Sequence, residues 1–71
     1  MDSIYIDTEF IKLQQALKLA QVVGQGSDAK MIIQDGAVKV NGETCTQRGR
    51  KIRVGDVIEF EDVKFDVHEK N

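Results

Sequence analysis

The 71-residue chain has no proline and no tryptophan, one cysteine, one histidine, one tyrosine and three phenylalanines. Without proline, nothing in it resembles a rigid linker. A lone cysteine, Cys45, excludes an intrachain disulfide and points to a reducing compartment. The apolar runs are far too short to cross a bilayer. The opening Met1-Asp2-Ser3 lacks the basic start and apolar stretch of a signal peptide. These absences predict one cytoplasmic domain spanning residues 1–71, without membrane contact. A core this small is marginal, so strong local structure must support it.

The residues that usually carry catalysis are also scarce. His68, the single histidine, falls on the polar side of a predicted strand and reads as a surface residue. Cys45 has no histidine near it in sequence and alternates into an apolar face, as a small core residue would. No Cys/His spacing suits zinc. Gly24-Gln25-Gly26 is too short for a phosphate-binding loop and is not followed by Gly-Lys-Ser or Gly-Lys-Thr. The pairs Glu59/Glu61 and Asp62/Asp66 lie on a predicted solvated hairpin. The expectation is therefore a non-catalytic protein with no cofactor, no metal and no small-molecule substrate. Phe10, Phe60 and Phe65 read as core, leaving Tyr5 as the one candidate stacking platform. That argues against single-strand binding by base stacking.

What the chain does have is one stretch dense in local signals, Ser27 to Gly42. Ser27 is a good helix N-cap, and Asp28 places negative charge at the positive end of the helix dipole. Ala29, Ile32 and Ile33 make one apolar face, and Gly36 suits the left-handed residue after the last turn. Val38 and Val40 then alternate with Lys39, and Asn41-Gly42 fits a two-residue type I′ turn. Pairing Val40 with Glu43 places Cys45 opposite Val38.

Elsewhere, Ser3 to Ile6 alternate as a short edge strand. Thr8 is a candidate cap for a helix from Glu9 to Val22 or Val23, with Phe10, Leu13, Ala16, Leu17 and Ala20 as its apolar stripe and Lys12 at the rim. Gly24 to Gly26 breaks it from the second helix. Residues 57–60 and 63–67 read as strands joined by Glu61-Asp62, with Ile58, Phe60, Val63 and Phe65 on one face. The predicted fold is α+β: two helices packed on a small, mostly antiparallel sheet.

The formal net charge is −2, but it is segregated. Residues 1–9 carry −3, residues 10–54 carry +5 and residues 55–71 carry −4. A polyanion responds to the local patch, since screening limits reach to about 8 Å at physiological salt. The candidate phosphate contacts are Lys12, Lys18, Lys30, Lys39, Arg48, Arg50 and Lys51, with Ser27 opening a helix N-terminus as an extra donor. Asn41 and Arg53 are secondary candidates, Asn41 chiefly as a turn residue. Arginine adds a planar fork that grips phosphate. Two blander readings stay open: a mixed solvated surface, and an ordinary turn at Arg48-Gly49-Arg50-Lys51. The other class of function is a protein-interaction adaptor, acting through the acidic hairpin or an edge strand near Ile4.

In this order the features resemble the S-four RNA-binding domain, named after small-subunit ribosomal protein four. Lys12-Leu13-Gln14 with Leu17 stands where that family has Arg-Leu-Asp and a leucine three residues on. Ser27-Asp28-Ala29-Lys30 matches the start of its second helix, and Gly36 to Gly42 its Gly-x-Val-x-Val-Asn-Gly hairpin. Arg48 to Lys51 and Gly55-Asp56-Val57-Ile58 match its basic loop and following turn. The resemblance covers about residues 10–60 and is similar to the stand-alone bacterial group called YbcJ- or YaaA-like. It implies that the two helices and neighbouring loops hold structured RNA, ribosomal RNA or the ribosomal subunits in particular; the chain is expected to act as a monomer. Lys12 and Gln14 depart from the family's Arg and Asp. The acidic ends would restrain non-specific binding by repelling phosphate at the rim.

Overall fold

In the computed structural model, the described residues are 2–23 and 26–70, with the side chains of Gly26 and Ser27 outside the description. The chain runs β1 (Asp2–Ile6), β2 (Ile11–Lys12), α1 (Leu13–Leu19), α2 (Gly26–Gln34), β3 (Val38–Val40), β4 (Glu43–Thr44), β5 (Lys51–Ile52), β6 (Val57–Phe60) and β7 (Val63–Glu69). Five strands form one sheet in the order β1-β7-β6-β3-β4, and β2 and β5 form a separate two-stranded ribbon. Every pairing is antiparallel except that of β1 with β7. This is the α+β arrangement read from the sequence.

One face of the sheet is apolar because alternate residues point to one side. Ile4, Ile6, Val38, Val40, Ile58, Phe65 and Val67 are buried there. Leu13, Ala16 and Leu17 of α1, Ala29 and Ile33 of α2, and Ile52 of the ribbon close over them in one core. Cys45 joins this core and is held by its N–H on the Val38 carbonyl at 2.9 Å, as the hairpin register predicts. Phe60 and Val63 are half-buried beside it. No side-chain polar atom among the described residues is buried without a partner.

The turns follow from residues that tolerate the left-handed region. Asn41 (φ 53) and Gly42 (φ 85) make the tight turn of the β3–β4 hairpin, with Val40 opposite Glu43. Gly36 (φ 77) ends α2 by donating its N–H to Ile33, while Ala37 donates to Ile32. These are the paired bonds of a Schellman cap. The same cap ends α1, where Gln21 donates to Lys18 and Val22 to Leu17, but here Gln21 itself occupies the left-handed position (φ 59). Glu61 (φ 54) does so in the turn between β6 and β7, whose register pairs Phe60 with Val63 and Ile58 with Phe65.

Three local expectations are corrected. The first helix is shorter at both ends, Leu13–Leu19 instead of residues 9 to 22 or 23. Thr8 caps nothing; its hydroxyl donates to the Phe10 carbonyl. Phe10 therefore leaves the helical stripe, and Lys12 becomes the extended residue before the helix, its N–H accepted by the Gln15 side chain at 2.9 Å. The cause is long-range: Ile11 and Lys12 are claimed as a strand by Ile52 and Lys51. The break at Gly24-Gln25 and the capping bond expected of the Ser27 hydroxyl lie outside the described residues. Ser27 falls within the span of α2.

Candidate functional site

The basic loop is not a free-standing turn. Lys51 lies directly opposite Lys12 in the β2–β5 ribbon. Just beyond, the Leu13 N–H donates to the Arg50 carbonyl at 2.9 Å and the Gln14 N–H to the Arg48 carbonyl at 3.2 Å. The first N–H groups of α1, which have no partner within the helix, are thus satisfied by the backbone of the basic loop. This stitching gathers Lys12, Arg48, Arg50 and Lys51, far apart in sequence, at one end of α1.

The pleat decides where these side chains point. Ile52 is fully buried and Ile11 half-buried, so Lys12 and Lys51, their neighbours, face outward. Phe10 stands beside them. Lys51 Nζ lies 4.9 Å and Arg53 Cζ 5.8 Å from the centre of its ring, within range of a cation–π attraction. Among the described residues none of these cations is in an ion pair; the one contact of that kind joins His68 and Asp66 within β7. A patch of uncompensated positive charge on a rigid backbone frame is suited to anions spaced along a chain.

The other expected site residues divide around this patch. Lys18 is exposed near the end of α1 and lines a shallow groove with Ile11, Gln15 and Leu19. Lys30 is exposed on α2, whose buried residues are Ala29 and Ile33. Lys39 stands apart. It is exposed on the outer face of the sheet, between Glu59 of β6 and Thr44 of β4, opposite the face the helices cover. Asn41 is engaged structurally: its amide nitrogen donates to Asp56 Oδ1 at 3.1 Å and its amide oxygen accepts the Val57 N–H at 2.9 Å. Asp56 also accepts the Arg53 N–H, at 2.8 Å.

The outer face of the sheet holds a second polar group. Ser3 donates a 2.6 Å hydrogen bond to Asp66, whose other oxygen lies 3.1 Å from His68 Nε2. His68 in turn rests against Tyr5, ring centres 5.6 Å apart. The Ser3 hydrogen bond first, and the neighbouring His68 second, hold the Asp66 carboxyl below its ordinary range.

Sequence reasoning missed Phe10 as part of the site. Its spacing to Leu13 and Leu17 imitates a helical stripe, and the signal against that, a strand partner at Ile52, lies some forty residues away. Among the described residues, no helix is long and apolar enough to cross a membrane.

Comparison with known proteins gives a consistent set of likenesses. The profile of the S4 domain family matches residues 4–68. The chain is 52% identical over 58 residues to a protein of Bacillus subtilis (strain 168) named "Probable ribosome maturation protein RlbA"; the match spans 82% of each chain. Among solved structures it is similar to the 30S ribosomal protein S4e from Thermoplasma acidophilum, with a TM-score of 0.64 and 23% identity. That match covers 84% of this chain and 32% of the ribosomal protein, and bears on the fold alone.

Proposed function

The chain belongs to the S4 domain family, and from that premise we propose that it is a non-catalytic RNA-binding module of the bacterial cytoplasm that grips structured RNA on the ribosome or its subunits. The observation that carries the reading is the backbone stitching of Arg48 and Arg50 to the start of α1, which brings Lys12, Arg48, Arg50 and Lys51 together at one end of that helix. Phosphate contacts made from such a frame fix register and orientation without reading bases. Lys18 and Lys30 extend the contact along the helices, with Ser27 as a further donor. Lys39, beside Glu59 on the opposite face, contributes least. The small number of exposed aromatic rings favours a folded RNA, read through its shape and backbone, over an extended single strand. The relative named for ribosome maturation supports a ribosomal RNA as the target. Residues 1–71 act as one domain and bind as a monomer.

A second reading has one observation in its favour. β1 lies at the edge of the sheet with exposed Asp2, Asp7 and Glu9 along or near it, a surface a protein partner could extend by adding a strand.

Co-sedimentation with ribosomal subunits and binding to purified ribosomal RNA across a salt series separate the two. Each lost phosphate contact lowers the slope of log affinity against log salt by about one unit. Arg48→Ala/Arg50→Ala/Lys51→Ala should lower it by about two to three units, and Lys39→Ala should leave it within about half a unit of wild type. No binding by wild type at low salt would sink the RNA reading in favour of the adaptor.

A further inference from the structure

We infer that the outward face of the β2–β5 ribbon is a single-phosphate site organised by Phe10, and that filling it locks the basic loop onto α1. The inference rests on the RNA reading above and adds a coupling between ligand and fold.

Three observations carry it. First, the Leu13–Arg50 hydrogen bond sets the alternation of the ribbon, so the Lys12–Lys51 pair falls at a non-hydrogen-bonded position. Facing residues approach most closely there, with Cα atoms about 4.5 Å apart. Like charges directly opposite one another weaken a strand pair, and no carboxylate among the described residues pairs with either lysine. An anion between the two ammonium groups reverses the sign of that contact.

Second, Phe10 lies under two of the cations, Lys51 and Arg53. Its ring restrains long side chains that would otherwise lose rotamer freedom on binding. Phe10 is thus a positioning residue, and Lys12, Lys51 and Arg53 are the phosphate ligands.

Third, the segment carrying Lys51 and Arg53 runs directly on from Arg48 and Arg50, whose carbonyls hold α1. The ribbon is only two residue pairs long. A ligand that binds the closed ribbon better than the open one stabilises the closed state by that difference. The Leu13 and Gln14 N–H groups, already bonded to the loop, report the closure directly.

The test is amide hydrogen exchange by NMR on the full chain, in inorganic phosphate and in sodium chloride at equal ionic strength. Phosphate should raise the protection of Leu13 and Gln14 and leave that of Val57, held by Asn41 on another loop, unchanged. Lys12→Gln should raise the protection of Leu13 in chloride, since it removes the repulsion, and abolish the response to phosphate. Phe10→Leu should weaken the phosphate response about threefold, whereas Phe10→Trp, with a stronger ring quadrupole, should keep it. A simple packing role for Phe10 would not give that order. Equal protection in phosphate and chloride overturns the inference. So does a Lys12→Gln variant that lowers protection in chloride. If wild type binds ribosomal RNA without phosphate-dependent protection, the coupling fails and the RNA reading stands. Protection that responds to phosphate in a protein that binds no RNA refutes the RNA reading and leaves the anion site.

Discussion

Asn41 offers a test in which backbone strain and hydrogen bonding separate. Its left-handed dihedral (φ 53) belongs to the hairpin turn, while its side chain spans to the connection between β5 and β6 through Asp56 and Val57. Asn41→Gly keeps the dihedral accessible and deletes both side-chain bonds. A net hydrogen bond contributes about 0.5–1.5 kcal/mol, and these two are solvent-accessible, so the expected loss is about 1–2 kcal/mol. Asn41→Ala deletes the same bonds and forces a Cβ-bearing residue without a local acceptor into the left-handed region, adding about 1 kcal/mol. The domain should melt roughly 4–8 °C lower for each kcal/mol. Asn41→Asp can still accept the Val57 N–H but loses the donor and faces the Asp56 carboxylate. It should be at least as unstable as the alanine variant at neutral pH. Circular dichroism melts and urea titrations read all three. Equal stability of the glycine and alanine variants would refute the dihedral part of the reasoning. A glycine variant as stable as wild type would refute the hydrogen-bonding part.

Gln21→Gly places glycine where α1 already demands a positive φ, so it should stabilise the protein by about 0.5–1 kcal/mol, seen as a raised urea midpoint with unchanged slope. A lower midpoint would mean that the Gln21 side chain makes contacts outweighing the dihedral cost. Ser3→Ala should move the Asp66 carboxyl back up towards its ordinary value of 3.8, since the serine hydroxyl is the largest cause of its lowering. An NMR titration of the carboxyl carbon decides this. Because the folded-state value is the lower one, the contribution of Asp66 is complete above the ordinary carboxylate range and is lost as pH falls below 3.8. β1 should therefore loosen in acid before the core does, and protection of its amides, taken relative to the intrinsic exchange rate at each pH, that does not fall between neutral pH and pH 3 would contradict this.

The features legible in the sequence were those settled within a few residues. Gly36, Asn41 and Gly42 had to supply left-handed backbone, and the hairpin register they fix carried Cys45 into the core. Ile58 and Phe65 were matched through a two-residue loop in the same way. What escaped was decided at a distance. Thr8, Glu9 and Phe10 satisfy every local rule for a helix start, yet a strand partner forty residues on overrides them. The same partner brought half of the candidate site together and turned Phe10 from a core residue into a support for cations. For β1 the sequence indicated an edge strand but not its neighbour, because nothing local to Ser3–Ile6 encodes a parallel partner at the other end of the chain. Gln21 gave no sign of a cap, being a residue that seldom takes that role.

The pairing of β1 with β7 has a kinetic side. Ser3 and Asp66 are 63 positions apart, whereas the β3–β4 and β6–β7 strands meet across two-residue turns. Closing the longer loop costs on the order of 3 kcal/mol more in chain entropy than closing either hairpin. Contacts of such separation form after local ones have reduced the search. The hairpins and the helix pair thus build a surface on which Ile4 and Ile6 later dock, carried by a strand with one neighbour and an open edge. Folding ends on the sheet edge farthest in strand order from the β3–β4 hairpin.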